Sequence, residues 1–365
     1  MSNSYSRPFR LVLSCVAVAL VFPHAFAGEP SGLASCRAVS DDEQRLACYD
    51  RLSDSERIPA AAPTAIEPQT ARAVENSSRV PTQRESRWSI ADGGVHRLVP
   101  HKSNYVILRQ SSSPNNQPFS ASNEFLASPT AAPLHLDHNE MKFQLSLKAA
   151  IMQSVPLLGG NLWFGYTQQS NWQVWNGALS RPFRETDYEP EIMLAYQLDQ
   201  KLTDRWTLRH MTWALNHQSN GRGAPLSRSW NRVYAQLELD RGQDLQVLLR
   251  PWWRIPESRS NDDNPDIQHY LGYGDLVVNY KAAGWNASLL LRNNLERINN
   301  RGAAQLDVAF PCAHLGDFVL KLQLFSGYGE SLIDYNHKQT TIGVGLEATG
   351  WMDHGFSRAP GGCTR

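Results

Sequence analysis

The sequence predicts an all-β fold, a twelve-stranded antiparallel transmembrane β-barrel, and three observations predict it. Apolar and polar side chains alternate repeatedly between residues 101 and 351, which is the period of a strand with one buried face. The chain has 11 Trp, 12 Tyr and 12 Phe, and membrane barrels carry aromatic girdles at both interfaces. No apolar run after residue 27 approaches the ~20 residues of a spanning helix. A soluble secreted β-sandwich also alternates, so composition alone leaves that alternative open.

The first 27 residues predict a secretory signal peptide. They contain two arginines and no acid, then an apolar run from Leu11 to Phe22, and a small-residue cleavage site that ends at Ala27. The whole chain has 35 basic and 35 acidic residues, so its net charge gives no indication of nucleic-acid binding. We therefore expect an exported protein with no nucleic-acid partner.

Cysteine usage agrees with export. An even number of cysteines in an oxidising compartment favours disulfides, and four follow the signal, namely Cys36, Cys48, Cys312 and Cys363. Three pairings exist, and we favour the one that joins the first two and the last two. Residues 28–54 contain the first pair, and Ser40 with Glu43 matches a helix-starting capping box. We expect a small disulfide-pinned helical segment in the periplasm.

Three further segments complete the chain. Residues 55–100 are rich in Ala, Pro, Thr, Ser and Arg, which predicts a disordered linker. Residues 101–351 form the predicted barrel, and residues 352–365 form a C-terminal tail. The strands are expected near 103–112, 141–153, 160–170, 189–199, 205–219, 229–240, 244–256, 269–282, 285–297, 302–311, 316–328 and 338–351.

The strand pattern also predicts how the barrel is oriented. Segments of ~9–11 residues cross a bilayer when tilted, and an even number of strands leaves both termini in the periplasm. Barrels of this kind have long outer loops, which are expected at 113–140, 171–188, 220–228, 257–268 and 329–337. The inward-facing charges are expected to pair and to plug the lumen; they include Lys142, Lys148, Arg232, Glu238, Lys321 and Glu347.

A candidate catalytic motif flanks the predicted 220–228 loop. His217 and Ser219 are two residues apart on one strand, so their side chains point to the same face. A serine becomes a nucleophile when a neighbouring base takes its proton, and Asn231 on the next strand can orient that base. His-x-Ser is a common tripeptide and by itself does not indicate catalysis. Its position on the face that meets lipid is what favours a catalytic role. Polar groups are costly there, which favours a lipid substrate.

Five segments resemble the outer-membrane phospholipase A family. The most specific is the catalytic stretch, Asn216 to Arg222 with Ser227 to Arg232, and the others are 143–147, 182–190, 262–266 and 327–336. The resemblance spans about residues 103–348, essentially the whole barrel. It implies a calcium-dependent hydrolase of phospholipid and lysophospholipid acyl esters. It also implies a homodimer in the bacterial outer membrane, with the active site toward the outer leaflet.

The resemblance implies roles for individual residues. Ser219 is the nucleophile, His217 is the base and Asn231 orients the imidazole. The implied ligands of Ca²⁺ are the Ser227 hydroxyl, the Arg222 backbone carbonyl and Ser180 of the partner subunit. A hard cation with oxygen ligands stabilises negative charge that develops on the substrate. The residues that match family positions supporting the site or the dimer surface are Tyr166, Gln168, Glu185 and Tyr188.

The sequence departs from the family pattern at Ala224, where an acidic residue is expected in the calcium loop. The acidic run from Asn261 to Asp266 lacks the twelve-residue calcium pattern and is interpreted as a tight outer loop. The alternative function is a passive barrel that serves as a pore or structural anchor. A soluble secreted esterase is a distant third. The presence of all three catalytic residues favours the phospholipase, because an inactive homologue is expected to have lost one of them.

Overall fold

The computed structural model describes residues 36, 39–55, 88, 98–122, 133–311, 315 and 318–348. The chain falls into two units, residues 1–78 and residues 79–365. The predicted signal, the predicted C-terminal tail and both cysteines of the second predicted disulfide, Cys312 and Cys363, lie outside the described residues. Among the described residues, no helix has both the length and the apolar character that a membrane crossing requires.

The first unit contains helix α1 (Asp42–Ser55). A disulfide joins Cys36 to Cys48 with a Cα–Cα distance of 5.6 Å, which confirms the first predicted pairing. The helix is capped one residue later than expected, because the Asp41 carboxylate accepts a hydrogen bond from the backbone N–H of Gln44 at 3.0 Å. A negative charge at this position also interacts favourably with the helix dipole.

The second unit is an antiparallel sheet that closes on itself. Its strands are β1 (Leu98–Pro100), β2 (Tyr105–Ser111), β3 (Asn139–Met152), β4 (Asn161–Trp172), β5 (Phe183–Lys201), β6 (Trp206–Ser219), β7 (Ser229–Arg241), β8 (Leu245–Ile255), β9 (Gly274–Ala282), β10 (Trp285–Asn293), β11 (Gly302–Pro311), β12 (Phe318–Tyr328) and β13 (Lys338–Ala348). Consecutive strands pair from β2 to β13, and β13 pairs with β2. The twelve-stranded barrel is therefore confirmed. The short β1 is an addition that pairs with β3 beyond the end of β2.

Two strands begin more than two residues away from their predicted starts. β5 begins at Phe183, inside an expected loop, because its first residues pair with the end of β4. β9 begins at Gly274, whereas the corresponding predicted strand begins at residue 269, because Gln268–Leu271 forms a short helix, α2. Ile267 and Leu271 are one helical turn apart, and both are buried in the core cluster. A helical turn buries this pair on one face, and that packing replaces the expected strand.

The connections fall into two sets because successive strands alternate in direction. The longer set lies at one end of the barrel, here called the long-loop end, and comprises residues 112–138, 173–182, 220–228, 256–273, 294–301 and 329–337. The shorter set lies at the opposite end, and comprises residues 153–160, 202–205, 242–244, 283–284 and 312–317. This asymmetry agrees with the loop lengths expected from the sequence.

Charged side chains form ion pairs with one another inside the lumen. Lys321 Nζ lies 2.8 Å from Asp307 and 3.0 Å from Glu347. The Glu140 carboxylate accepts a hydrogen bond from Arg184 Nε at 2.5 Å. A buried charge is tolerated when it is paired and hydrogen-bonded, so these contacts allow a polar interior. Five of the charges predicted to face inward are buried, namely Lys142, Lys148, Glu238, Lys321 and Glu347.

The 329–337 loop fills the lumen at the long-loop end. The Tyr335 hydroxyl is buried and donates a hydrogen bond to Asp266 Oδ1 at 2.6 Å. Asp334 Oδ2 lies 2.8 Å from Arg184 Nη1. Burial by itself would raise the pKa of Asp334, but the Arg184 guanidinium holds it below its usual value. The loop thus stays anchored by a charged carboxylate, and a cavity of about 350 Å³ remains within the barrel.

Trp88 lies within the predicted disordered linker, residues 55–100, but packs against the barrel. Its side chain is only 5% exposed, and its indole N–H donates a hydrogen bond to Glu238 Oε1 at 3.0 Å. Lys148 Nζ lies 3.1 Å from the centroid of the indole, and Trp163 packs edge-on with its centroid 5.6 Å away. These contacts and the pairing of β1 tie the end of the predicted linker to the barrel.

Replacing Trp88 with alanine is expected to destabilise the barrel by about 3 kcal/mol, because a buried aromatic ring and its hydrogen bond to Glu238 are lost. Thermal unfolding of the refolded protein in detergent, followed by circular dichroism, measures this. Trp175→Ala is the matched control, since that side chain is 52% exposed and its loss is expected to cost about 0.5 kcal/mol or less. Equal unfolding temperatures for the two variants would contradict the packing role of Trp88.

Candidate active site

The pairing of β6 with β7 brings the predicted base and its orienter together. His217 lies directly opposite Asn231, and the imidazole Nδ1 is 2.8 Å from Asn231 Oδ1. Directly opposite side chains on one face of an antiparallel pair are near neighbours, so the register itself produces this contact. When Asn231 Oδ1 accepts a hydrogen bond from Nδ1–H, Nε2 of the neutral ring carries no proton and is left as the proton acceptor.

Ser219 follows His217 by two residues on the same face of β6. Trp213 and Leu215 on that face are 43% and 52% exposed, which identifies it as the outer surface of the barrel. Ser219 pairs across the sheet with Tyr188 of β5. Within the described part of the chain its hydroxyl forms no hydrogen bond with the imidazole, and such catalytic contacts are often loose before substrate binds.

Three other predicted residues extend the polar region of this outer surface. Gln168 of β4 pairs with Tyr188 of β5, and the Tyr166 hydroxyl donates a hydrogen bond to Gln168 Oε1 at 3.1 Å. The surrounding surface is apolar, as exposed Phe164 and Ile192 illustrate. Polar atoms on a lipid-facing surface are costly, so this cluster indicates a place where the barrel meets something other than lipid chains.

Asn220 holds the 220–228 loop in one shape. Its Oδ1 accepts hydrogen bonds from the backbone N–H groups of Arg222 and Arg228, at 3.3 and 2.9 Å. Its Nδ2 donates to Glu185 Oε1 at 3.0 Å and to a backbone carbonyl within the loop at 2.9 Å. An amide has two donor and two acceptor positions, and all four are used here.

Glu185 supports this loop from inside the barrel. Its side chain is fully buried, and Oε1 accepts hydrogen bonds from Asn220 and from the Ile333 backbone N–H, the latter at 3.1 Å. Its other oxygen lies 3.3 Å from the Arg222 guanidinium. The sequence left two roles open for Glu185, support of the site or part of a dimer surface. Its position in the lumen fits support of the site.

Ser227, a predicted calcium ligand, contacts a carboxylate that the sequence did not single out. Its hydroxyl donates a hydrogen bond to Asp263 Oδ2 at 2.5 Å. The next residue, Asn264, accepts a hydrogen bond from the Ser229 backbone N–H at 2.9 Å, which fixes the 262–266 loop against the start of β7. Asp263 thus brings a carboxylate to this loop although position 224 is alanine.

The available ligands at this position are oxygen atoms, the type that calcium prefers. Among the described residues, no group of three or more His, Cys, Asp or Glu side chains is arranged to hold a metal ion. A cation beside Ser227 would therefore rely on hydroxyl and backbone carbonyl oxygens together with the Asp263 carboxylate.

Ser180 and Arg222, the other predicted ligands, lie on two loops of the long-loop end. Ser180 follows the 3₁₀ helix Gly177–Leu179 in a left-handed conformation with φ of 59°, and it is exposed. The Arg222 guanidinium donates a hydrogen bond to the Phe183 backbone carbonyl at 3.2 Å, which ties the 220–228 loop to the start of β5. The exposed position of Ser180 leaves it accessible to a second copy of the chain.

Comparison with known proteins gives concordant matches. The family model Phospholipase A1 matches residues 82–348. Phospholipase A1 of Klebsiella pneumoniae is 41% identical over 252 residues, which cover 68% of this chain and 81% of the relative. Outer membrane phospholipase A from Escherichia coli superposes with a TM-score of 0.60 and 38% identity, covering 69% of this chain and 91% of that one. The Salmonella typhi outer membrane phospholipase dimer with bound calcium superposes with a TM-score of 0.62 and 33% identity, covering 74% of this chain and 98% of that one.

Asn220→Ala is expected to loosen the 220–228 loop selectively. The loss of four hydrogen bonds should lower the local opening free energy by about 2–3 kcal/mol, so amide exchange there accelerates roughly 100-fold. Asn294→Ala is the matched control, because Asn294 also makes four hydrogen bonds, three within the 294–301 loop and one to the His269 backbone carbonyl outside it. Hydrogen exchange measured by mass spectrometry should show each variant loosening its own loop. Loosening of both loops by either variant would contradict this local role.

Proposed function

The chain belongs to the phospholipase A1 family and is a phospholipase of the outer membrane; on this premise we propose that Ser219 is its nucleophile, His217 its base and Asn231 the orienter. The observation that supports the proposal most strongly is the 2.8 Å contact between His217 and Asn231 on the outer surface of the barrel. A passive pore or anchor gains nothing from polar side chains on this face, where they are costly. A phospholipid in the surrounding membrane reaches the same face directly.

The proposed reaction is acyl transfer to Ser219 followed by hydrolysis. Ser219 Oγ attacks the acyl carbonyl carbon while His217 Nε2 takes the hydroxyl proton. The bond from the acyl carbon to the glycerol oxygen breaks, and the imidazolium gives its proton to the leaving alcohol. Water then attacks the acyl-enzyme, with the proton passing again through His217, and the fatty acid and free serine are released. Asn231 Oδ1 accepts a hydrogen bond from the Nδ1–H group throughout, so that proton stays on the imidazole. Phospholipids and lysophospholipids are the proposed substrates.

Calcium is the proposed cofactor, with the Ser227 hydroxyl, the Arg222 backbone carbonyl and Ser180 of the partner subunit as ligands. The chemistry of the donor set fits, because Ser227 Oγ and Asp263 Oδ2 are oxygen atoms 2.5 Å apart. The bound ion supplies positive charge close to where negative charge develops on the acyl oxygen. The Salmonella typhi relative, solved as a dimer with bound calcium, supports both the cation and the dimer.

The proposed orientation places the long-loop end outside the cell and both termini in the periplasm. β2 starts and β13 ends at the opposite end from the 220–228 loop, because the number of barrel strands is even. The active site then lies toward the outer leaflet. Tyr166, Gln168 and Tyr188 lie on the same outer surface and are proposed to contribute to the dimer interface.

Acyl release from phospholipid micelles by refolded protein tests the nucleophile and the cation together. We expect calcium-dependent release, and a fall of at least about 10³-fold for Ser219→Ala, because the nucleophile is lost. Ser326→Ala is the matched control, since Ser326 is a strand serine too, on β12, and it is exposed. Release by Ser219→Ala would contradict the nucleophile, and release after chelation would contradict the cation. No release from folded protein with calcium would contradict the proposed site as a whole.

Mixing two inactive variants tests the shared calcium site. Ser219→Ala lacks the nucleophile but offers Ser180, whereas Ser180→Ala keeps the nucleophile but offers its partner no hydroxyl at this position. In a heterodimer of the two, one active site has both Ser219 and a Ser180 from across the interface. Equal mixing is expected to restore about a quarter of wild-type acyl release, since half of the dimers have one complete site. No gain over the separate variants would show that each subunit uses its own Ser180, or none.

A further inference from the structure

Glu257 lies against the far side of the proposed orienter. Ile255, the last residue of β8, pairs with Asn231 of β7, and the chain then leaves the sheet. Two residues later the half-buried Glu257 side chain accepts a hydrogen bond from Asn231 Nδ2, at 3.0 Å from Nδ2 to Oε1. The three side chains therefore form a row, from the imidazole of His217 through the amide of Asn231 to the carboxylate of Glu257.

Because a carboxylate only accepts hydrogen bonds, the contact with Glu257 fixes which end of the Asn231 amide faces His217. An amide can present either its oxygen or its nitrogen to a neighbour, and a rotated Asn231 would turn its NH₂ group toward the imidazole. An ionised carboxylate only accepts hydrogen bonds, so Glu257 is satisfied only by the NH₂ group. The amide oxygen is then the atom that faces His217, where it accepts a hydrogen bond from the Nδ1–H group, with 2.8 Å between Oδ1 and Nδ1.

The negative charge of Glu257 also affects how well Asn231 can stabilise a positively charged His217. Asn231 is neutral and cannot by itself stabilise the imidazolium that forms when His217 takes the serine proton. A hydrogen bond to an ionised group is stronger than a neutral one and polarises the amide, which makes its oxygen a better acceptor. Within the described ranges Glu257 forms no salt bridge, so its charge is not neutralised by a basic side chain there.

We propose that Glu257 is a positioning residue that fixes the orientation of Asn231 and, through it, the tautomer of His217. This inference rests on the proposed function, since it concerns the same site. Glu257 contacts no reacting atom, and it acts only through the amide. Its effect should therefore appear in the chemical step and should require Asn231.

A double-mutant cycle tests this dependence on Asn231. Release of acyl groups is measured for Glu257→Ala, Glu257→Gln, Asn231→Ala and the double variant Glu257→Ala/Asn231→Ala, with kcat and KM determined at saturating calcium. We expect Glu257→Ala to lower kcat about 10-fold with KM nearly unchanged, as loss of an outer hydrogen-bond partner commonly does. The kcat of Glu257→Gln should fall between those of the wild type and Glu257→Ala, because glutamine keeps a hydrogen-bond acceptor but lacks the charge. In the Asn231→Ala background the Glu257 substitution should have no further effect.

Control variants distinguish a positioning role of Glu257 from a general loss of loop charge, folding or cation binding. Glu296→Ala removes a loop carboxylate that bonds His269 at 2.6 Å on a neighbouring connection, and it should leave kcat unchanged. Circular dichroism of each variant verifies that the barrel is folded. The calcium concentration for half-maximal release should also stay at the wild-type value, because Glu257 is not assigned to the cation.

Three results would overturn the inference alone while wild-type release still depends on Ser219. These are an unchanged kcat in Glu257→Ala, a full additional loss in the Asn231→Ala background, and a raised calcium requirement in place of a lowered kcat. If Ser219→Ala releases acyl groups as fast as the wild type, the proposed function fails and this inference fails with it.

Discussion

Closure of the sheet is the constraint on which the rest of the structure depends. A strand inside a bilayer has no water to satisfy its backbone groups, so β13 must pair with β2 and leave no free edge. Closure sets the register of the strands, and the register decides which side chains face lipid. A slip of one residue between β6 and β7 would separate His217 from Asn231 and send their side chains to opposite faces. The candidate catalytic pair is thus a product of the same backbone ladder that closes the barrel.

The polar lumen gives the loop beside the site a rigid support. Glu185 projects into the interior and accepts a hydrogen bond from Asn220, which in turn holds the 220–228 loop. From the same side, the Ile333 backbone of the inserted 329–337 loop bonds Glu185. A water-filled channel would replace these contacts with mobile solvent. The paired charges of the interior therefore serve the outer surface, because they fix the loop that carries Ser227 and Arg222.

Periodicity explains how much the sequence could predict. Two-residue alternation marks each barrel strand, and the cross-strand position of Asn231 follows from the same alternation. The prediction that a strand begins at residue 269 is wrong, since so short a segment suits either helix or strand, and the burial of Ile267 and Leu271 in the core decides for the helix. Trp88 is a single aromatic in a polar segment and forms no pattern. Asp263 and Glu257 lie in loops, where only the folded chain decides which backbone or side chain they meet.

The membrane setting offers a reason why the carboxylate and the orienter are separate residues. Asn231 lies within β7 on the face that meets lipid, where an unpaired carboxylate is costly. Glu257 lies beyond the end of β8, where the chain has already left the sheet. Hydrogen bonds of 3.0 and 2.8 Å connect the carboxylate through the neutral amide to His217. The strand thus keeps an uncharged side chain within the bilayer, while the charge that favours the imidazolium is placed at the rim.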